Sequence, residues 1–434
     1  MNKIFGVFLL LFLLTHCSLD KRSGLWSKPE KIKEIKKEEV KILNKKEKSL
    51  TAEFNSNLKI KLSSKLINNS FIDNFNNNNG RVNYNGNLKN TSKFKFSKID
   101  KFDQLEPDII FHKGNVIFFD NKGSIFKFNN SSKLIWKKNY YTKNEKKLRP
   151  ILFFASKKNT LIVTDNITKY YALDINNGDL LWTKNNIAPF NSQIKIYKDR
   201  FFVIDFENVL RCFSIKDGKE LWKVGTEKPF IKSQKKLSLV IVNKVIYFNN
   251  SIGDISAVDA DKGTLLWQTP TQSTQVYEDA FLLKTSDLVA DSESIIFSNN
   301  KNEFYSLDLK TGNLMWKQKI NSNVRSTITD NLIFSITNEG FLFIIEKKNG
   351  NILRITDIFK EIKTKKRIKI KPIGFIVGTD KIYLTTSNGR LIVIDILTGK
   401  NLSTLKIDNE KISRPFILNQ SLFIAKENSI IKLN

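Results

Sequence analysis

A block reading Tyr305-Ser-Leu-Asp308-Leu-Lys-Thr-Gly312-Asn-Leu-Met-Trp316 recurs along the chain, and this repeat limits the fold more than any other feature. Asp174, Gly178 and Trp182 form one copy, Ser214, Gly218 and Trp222 a second, and Asp259, Gly263 and Trp267 a third. Glu346, Gly350 and Arg354, then Asp395, Gly399 and Ser403, keep the register without the Trp, and a copy at the front has Ser132 in the Gly position and Trp136 after it. The Trp positions (136, 182, 222, 267, 316, 354 and 403) are separated by 46, 40, 45, 49, 38 and 49 residues. Each unit carries earlier apolar runs as well, such as Ser294-Ile-Ile-Phe-Ser298. Four short strands per unit with turns between them is the pattern of a propeller blade.

The chemistry of the block is structural. Gly supplies the positive φ that a tight turn often needs. The Asp before it can accept backbone N–H bonds in an Asx-turn. A Trp can wedge between neighbouring blades and still offer its N–H to a partner. Acids and indoles repeated at one position therefore read as turn and core residues, not as an active site.

Blade counting gives a closed ring. Residues 107–139 supply a first blade, and six more end at the positions from 182 to 403. The last residues, 414–433, supply three further strands and stop one short of a blade. An alternating run at 92–98, with Phe94 or Phe96 near the missing Trp position, can complete it. The expected fold is thus all-β, an eight-bladed propeller spanning 91–434, with one blade shared between the two ends of the chain so that no sheet edge is left open in the ring.

Residues 1–16 read as an export signal: Lys3, then an apolar run over 4–14 that is too short to cross a bilayer. The sequence Leu14-Thr15-His16-Cys17 resembles a lipobox, in which Cys17 becomes the lipidated first residue; an ordinary signal with an incidental cysteine is the alternative. Residues 17–90 are mixed-charge and then Asn-rich, which suggests a tether with a short helix within 32–43.

The remaining chemistry is sparse. Cys17 and Cys212 are the only cysteines, so lipidation of the first leaves no disulfide. Cys212 stands where other copies have Ala172 and Ala257, which suits a small buried side chain. His112, in an apolar strand-like run, reads as a structurally satisfied histidine, and no His-based metal site or triad can be assembled from it. The formal net charge is +29, from 72 Lys and Arg against 43 Asp and Glu. The lysines are spread throughout, no nucleic-acid module is visible, and the densest basic stretch, 360–371, reads as a solvated loop, with a lipid or acidic partner as the alternative.

The Ala-Leu-Asp, Gly and Leu-Leu-Trp elements resemble the pyrroloquinoline-quinone (PQQ) type propeller repeat. The whole arrangement, from about residue 70 to the end plus the lipobox-like start, resembles the BamB-like lipoproteins of the outer-membrane β-barrel assembly machinery. Residues 74–80 and 83–87 resemble a worn form of that family's entry to the ring. The resemblance implies a scaffold without cofactor, metal or turnover. It would be anchored to the outer membrane on the periplasmic side and act as a monomeric propeller within a hetero-complex, bound to the periplasmic domains of the BamA-like insertion subunit. It also implies contact through Phe230, Ile231, Lys232 and Asp287, where Lys232 stands near a family Arg and cannot reproduce its bidentate geometry. Two rivals share the fold. One is an exported propeller binding a glycan or peptide in its funnel. The other is a PQQ-dependent dehydrogenase, which needs adjacent cysteines that this chain lacks.

Overall fold

The computed structural model describes residues 50–63, 65–68, 77, 80–100, 102–228, 233–271 and 282–434. The signal segment 1–16, Cys17, the helix expected within 32–43, and Phe230, Ile231 and Lys232 lie outside the described residues. The strands form eight four-stranded antiparallel sheets, the expected eight-bladed β-propeller. Blade 2 shows the plan: Leu152–Lys157, Thr160–Asp165, Lys169–Asp174 and Leu180–Asn185 follow one another in space as in sequence. First strands of neighbouring blades approach one another and line the axis. Fourth strands are outermost, and those of blades 2, 3 and 4 are largely exposed. The core lies between blades: Ile162, Tyr170 and Ala172 of blade 2, for example, pack with Phe201, Val203 and Phe213 of blade 3.

The repeat residues take the roles expected of them. Asp174 accepts from the Asn176 N–H at 2.7 Å, and Asp308 from those of Lys310 and Thr311 at 3.1 and 2.8 Å. Gly178 and Gly312 have φ of +79° and +72°. A second constraint also acts on them: a Cβ on Gly178 would sit 2.9 Å from the Trp136 ring, and one on Gly312 2.5 Å from Trp267. Gly218 and Gly263 meet Trp182 and Trp222 in the same way. Each Trp thus presses on the turn of the next blade.

The indole N–H groups close the wedge. Those of Trp136, Trp182 and Trp316 donate to the carbonyls of Ile175, Ile215 and Lys347, in each case the residue just after the Asp position of the next blade. At Trp222 the matching carbonyl, Ala260, is taken by Arg200, and the buried indole N–H has no partner among the described residues. In blade 6 the wedge is Arg354. Its side chain is 0% exposed, and it donates to the equivalent carbonyl, Ile396, at 3.1 Å, and to the carbonyls of Leu397 and Leu58. The degenerate copy therefore keeps the hydrogen bond and changes the donor.

Pairing between third and fourth strands slips by one residue just before the Trp position. Ala172 faces Trp182 but Leu173 faces Leu180, which leaves Leu181 as a bulge. Leu221, Leu266, Met315 and Leu402 are bulged in the same way. The bulge lets two consecutive aliphatic residues face outward, and it distorts an outer edge that would otherwise invite pairing with another chain.

Blade 8 combines Phe416–Leu418, Ser421–Lys426 and Ser429–Leu433 with Asn90–Lys95, whose Phe94 pairs with Ile430 and is fully buried against Phe128 and Phe423. The described part of 17–90 departs from the expected tether. Phe54 exchanges two backbone hydrogen bonds with Ile355 on the outer edge of blade 6, at 3.1 and 2.9 Å. Ile60 is buried between blades 6 and 7, and Val82 and Tyr84 between blades 7 and 8. Asn77 bonds the inner strands of blades 4 and 5 at Ile241 and Ala290, Gly80 reaches Ile328 of blade 6, and Val82 reaches Val377 of blade 7. The described residues of this segment are therefore attached to the outer edge of blade 6, to the inner strands of blades 4 to 7 and between blades 7 and 8, and residues 49–434 form one compact unit. Charge and asparagine content hid it because its attachments are mostly backbone hydrogen bonds, which any residue except proline can donate. Within 360–371 a short helix, Thr364–Arg367, leaves Lys365 and Lys366 exposed, while Arg367 bonds the Asp357 carboxylate at 2.6 Å.

Candidate functional site

The first strand of each blade begins at one face of the ring, and the polar residues just before it converge on the axis there. Asp108, Gln193, Asp287, Arg325 and Arg414 each stand two residues before an inner strand, in blades 1, 3, 5, 6 and 8. Above them opens a cavity of about 1470 Å³, lined by both charges and by Leu105, Ile151 and Ile373 among the apolar residues. Asn77, Gly80 and Val82 attach to the inner strands of blades 4 to 7 further along those strands than these polar residues.

Below the mouth the charges interlock. Lys236 Nζ donates to Asp108 at 2.8 Å and to the Glu106 carbonyl at 3.0 Å, and Arg414 Nη2 donates to the other Asp108 oxygen at 2.6 Å. Lys411 Nζ donates to the carbonyls of Asp103 and Leu105 at 2.7 and 3.0 Å, which ties the loop after Phe102 to the wall. Burial works against ionisation of Asp108, but Lys236 and Arg414 outweigh it and hold its pKa down to about 2.

That depression fixes a pH dependence. The folded pKa of Asp108 lies below the ordinary value of 3.8, so the stabilisation is complete above about pH 4 and is lost as pH falls through about 2. A shift of this size corresponds to ~2 kcal/mol. Asp108→Asn is expected to lose that amount at pH 7 in urea denaturation, and the gap from wild type should narrow towards pH 3. A constant gap would show that Asp108 acts by shape alone.

Of the two contact stretches, 230–233 and 284–287, Ser233 and Lys284 both line the cavity. Ser233 Oγ donates to the Leu283 carbonyl at 2.6 Å, and Lys284 stands exposed there. Asp287 is placed differently from the expectation: it is 8% exposed, accepts from Gln193 Nε2 at 3.0 Å and lies 3.6 Å from Arg414 Nη1. Burial opposes its ionisation, yet Arg414, Lys235, Lys236 and Arg325 hold its pKa low. A carboxylate so enclosed by its own chain braces the throat and is not presented on the surface.

The other candidates are inert by position. Cys212 is free and buried, and burial pushes its thiol up to about 12. His112 closes an inner strand as expected, but its buried Nε2 has no partner among the described residues, so it is less satisfied than the sequence suggests. Burial and then Lys127 and Lys113 lower its pKa. Among the described residues no group of three or more His, Cys, Asp or Glu is placed to hold a metal. Lys236, Arg325, Arg414 and Asp108 escaped the sequence reading. The signal was there in the polar position ahead of each inner strand, but it recurs by polarity and not by identity.

A family model described as outer membrane protein assembly factor BamB matches residues 121–356, more than half of the chain. The outer membrane protein assembly factor BamB of Moranella endobia (strain PCIT) is 22% identical over 274 residues, covering 62% of this chain and 68% of the relative. Among solved structures, BamB from Moraxella catarrhalis superposes with a TM-score of 0.64 at 13% identity, over 80% of this chain and 100% of that one. Quinohemoprotein alcohol dehydrogenase from Comamonas testosteroni superposes with a TM-score of 0.63 at 10% identity, over 82% of this chain and 78% of its own. At such identities the structural likenesses speak for the fold alone, which an assembly factor and an enzyme share.

Proposed function

The chain belongs to the family of the outer membrane protein assembly factor BamB, and from that membership we propose that it is a non-catalytic scaffold of outer-membrane β-barrel assembly. It binds the periplasmic domains of the BamA-like insertion subunit and is held at the periplasmic face of the outer membrane through Cys17. The observation that supports this reading beside the family is that Ser233, next after Lys232 in the chain, donates to the carbonyl of Leu283, next before Lys284, at the cavity rim. Phe230, Ile231, Lys232 and Lys284 form the contact, and Asp287 braces the throat from within. The repeat residues remain available for nothing else, since Asp, Gly and Trp are engaged in turns and wedges.

The glycan- or peptide-binding reading would draw support from exposed aromatic residues at the funnel mouth. Among the described residues there, the aromatics are Phe102, which is buried, and Phe153, which is partly buried. A PQQ-dependent dehydrogenase would need a pair of adjacent cysteines, and the sequence has Cys17 and Cys212 only.

The paired substitution Ile231→Asp with Lys232→Glu is expected to weaken capture of the insertion subunit by ~2 kcal/mol, roughly 30-fold, because a few anchors dominate an interface. Co-purification, with circular dichroism run in parallel, measures it; full capture by the folded double variant rejects this rim. Cys17→Ala is expected to move the protein from the membrane to the soluble fraction. An intact mass showing an unmodified Cys17 removes the anchor from the reading.

A further inference from the structure

At its floor the axial cavity narrows into a pocket of about 40 Å³ with Lys235, Lys236, Arg325 and Arg414 in its walls, against Glu106 and Asp287. Asp108 lies directly behind, and both of its oxygens are taken by Lys236 and Arg414. We propose that this pocket is a binding site for a single oxyanion of carboxylate or phosphate size, held by Arg325, Arg414 and Lys235.

Among the described residues, four cations and three carboxylates line or back this pocket. Asp108 is saturated by two of the cations at hydrogen-bonding distance. Glu106 stands 3.9 Å from Lys235, whose Nζ donates to the Asn323 carbonyl at 2.9 Å, and Asp287, which accepts from Gln193, stands 3.6 Å from Arg414, so neither ion pair is a hydrogen bond. Arg414 Nη1 is buried and donates to nothing among the described residues. A donor on a buried guanidinium left without an acceptor is costly, and one more anion would satisfy it. The guanidinium of Arg325 lies in the same positive surroundings: burial and then Arg414 push its pKa down to about 9, despite the opposing pull of Asp287 and Asp108.

Size and access fit the same ligand. A single water needs roughly 10–15 Å³ measured this way, so the pocket has room for about three water-sized groups, enough for the oxygens of a carboxylate or for three oxygens of a phosphate whose fourth points to the mouth. It shares Lys235, Lys236 and Asn323 with the large cavity, so an anion can enter from the open face. Planar guanidinium groups suit a carboxylate or phosphate, which each can grip through two parallel hydrogen bonds. The ligand is either a free ion or the acidic side chain of a protein seated on the rim. The site is independent of the docking reading and would stand if the partner bound elsewhere.

Isothermal titration calorimetry of the full mature chain with inorganic phosphate, and separately with acetate, at ionic strength held constant with sodium chloride, tests it. One saturable site per chain is expected for at least one of them. Binding of acetate points to a side-chain carboxylate as the natural occupant, and binding of phosphate alone to a phosphate group. Arg325→Gln should weaken binding roughly tenfold or more, the effect of losing a hydrogen bond to a charged group. Should that variant misfold by circular dichroism, Lys235→Gln, at the pocket's open side, is expected to weaken binding roughly threefold through its charge alone. Absence of saturable heat with both anions, or unchanged affinity in a folded variant, overturns the proposal.

Discussion

Chains lacking residues 1–98 are expected to be recovered as aggregates and not as closed rings. The deletion removes the fourth strand of blade 8 and exposes the edge of Ser429–Leu433, an unpaired template for another chain. It also removes Phe94, Ile60, Val82 and Tyr84 from three interfaces between blades. At ~2 kcal/mol for each buried apolar side chain this approaches ~8 kcal/mol as an upper estimate. That is comparable with the whole stability of a domain, about 5–15 kcal/mol. The expectation is graded. Removing 1–48 should leave stability unchanged, because the compact unit begins at Ser49. Removing 1–84 should give a folded but weakened ring, which keeps its closing strand and loses the attachments of Asn77, Gly80 and Val82 to the inner strands. Urea denaturation and size-exclusion chromatography of the three truncations measure this, and equal stability of the shortest and longest deletions would refute it.

Arg354→Ala is expected to cost about 3–5 kcal/mol, the range for removing a large buried side chain together with its hydrogen bonds. The side chain fills the wedge between blades 6 and 7, and its loss leaves the carbonyls of Ile396, Leu397 and Leu58 without their donor. Replacing a buried ion with a well-packed group can be nearly neutral, so the choice of replacement decides the outcome. Arg354→Trp should recover at least half of the loss, since an indole N–H can reach the Ile396 carbonyl as Trp316 reaches that of Lys347. It cannot serve Leu58, so the N-terminal segment should exchange its amide hydrogens faster in both variants. A cost below ~1 kcal/mol for the Ala variant, within the range of ordinary surface substitutions, would mean the wedge is redundant.

These two positions also mark how far the sequence could be read. Spacing of Gly and Trp gave blade number and register because one geometric problem, seating a flat ring on a turn, recurs with one solution. At Arg354 the problem recurs with a second solution, and residue identity hides the shared carbonyl. The Leu-Leu-Trp run was legible as a strand, but its bulge was not: two adjacent outward aliphatic residues violate a period of two, and only the pairing shows which one is skipped. The throat stayed hidden for a different reason. Asp108, Asp287, Arg325 and Arg414 lie far apart in the chain and acquire meaning only when the ring brings their blades together.

The blade shared by the two ends sets an order on the making of the molecule. A chain emerging N-terminus first exposes Asn90–Lys95 long before Ser429–Leu433 exists. Every other blade can be completed from contiguous sequence as it appears. Closing so long a loop costs little more in entropy than closing a short one, because the cost grows only with the logarithm of length. The burden is therefore temporal: non-local pairing is slow, and an orphan strand waits in the open while the ring grows. It follows that a frameshift in the last twenty or so codons should wound the same blade as a deletion at the start, and that an arrested nascent chain short of Phe416 should be as sticky as the truncated protein.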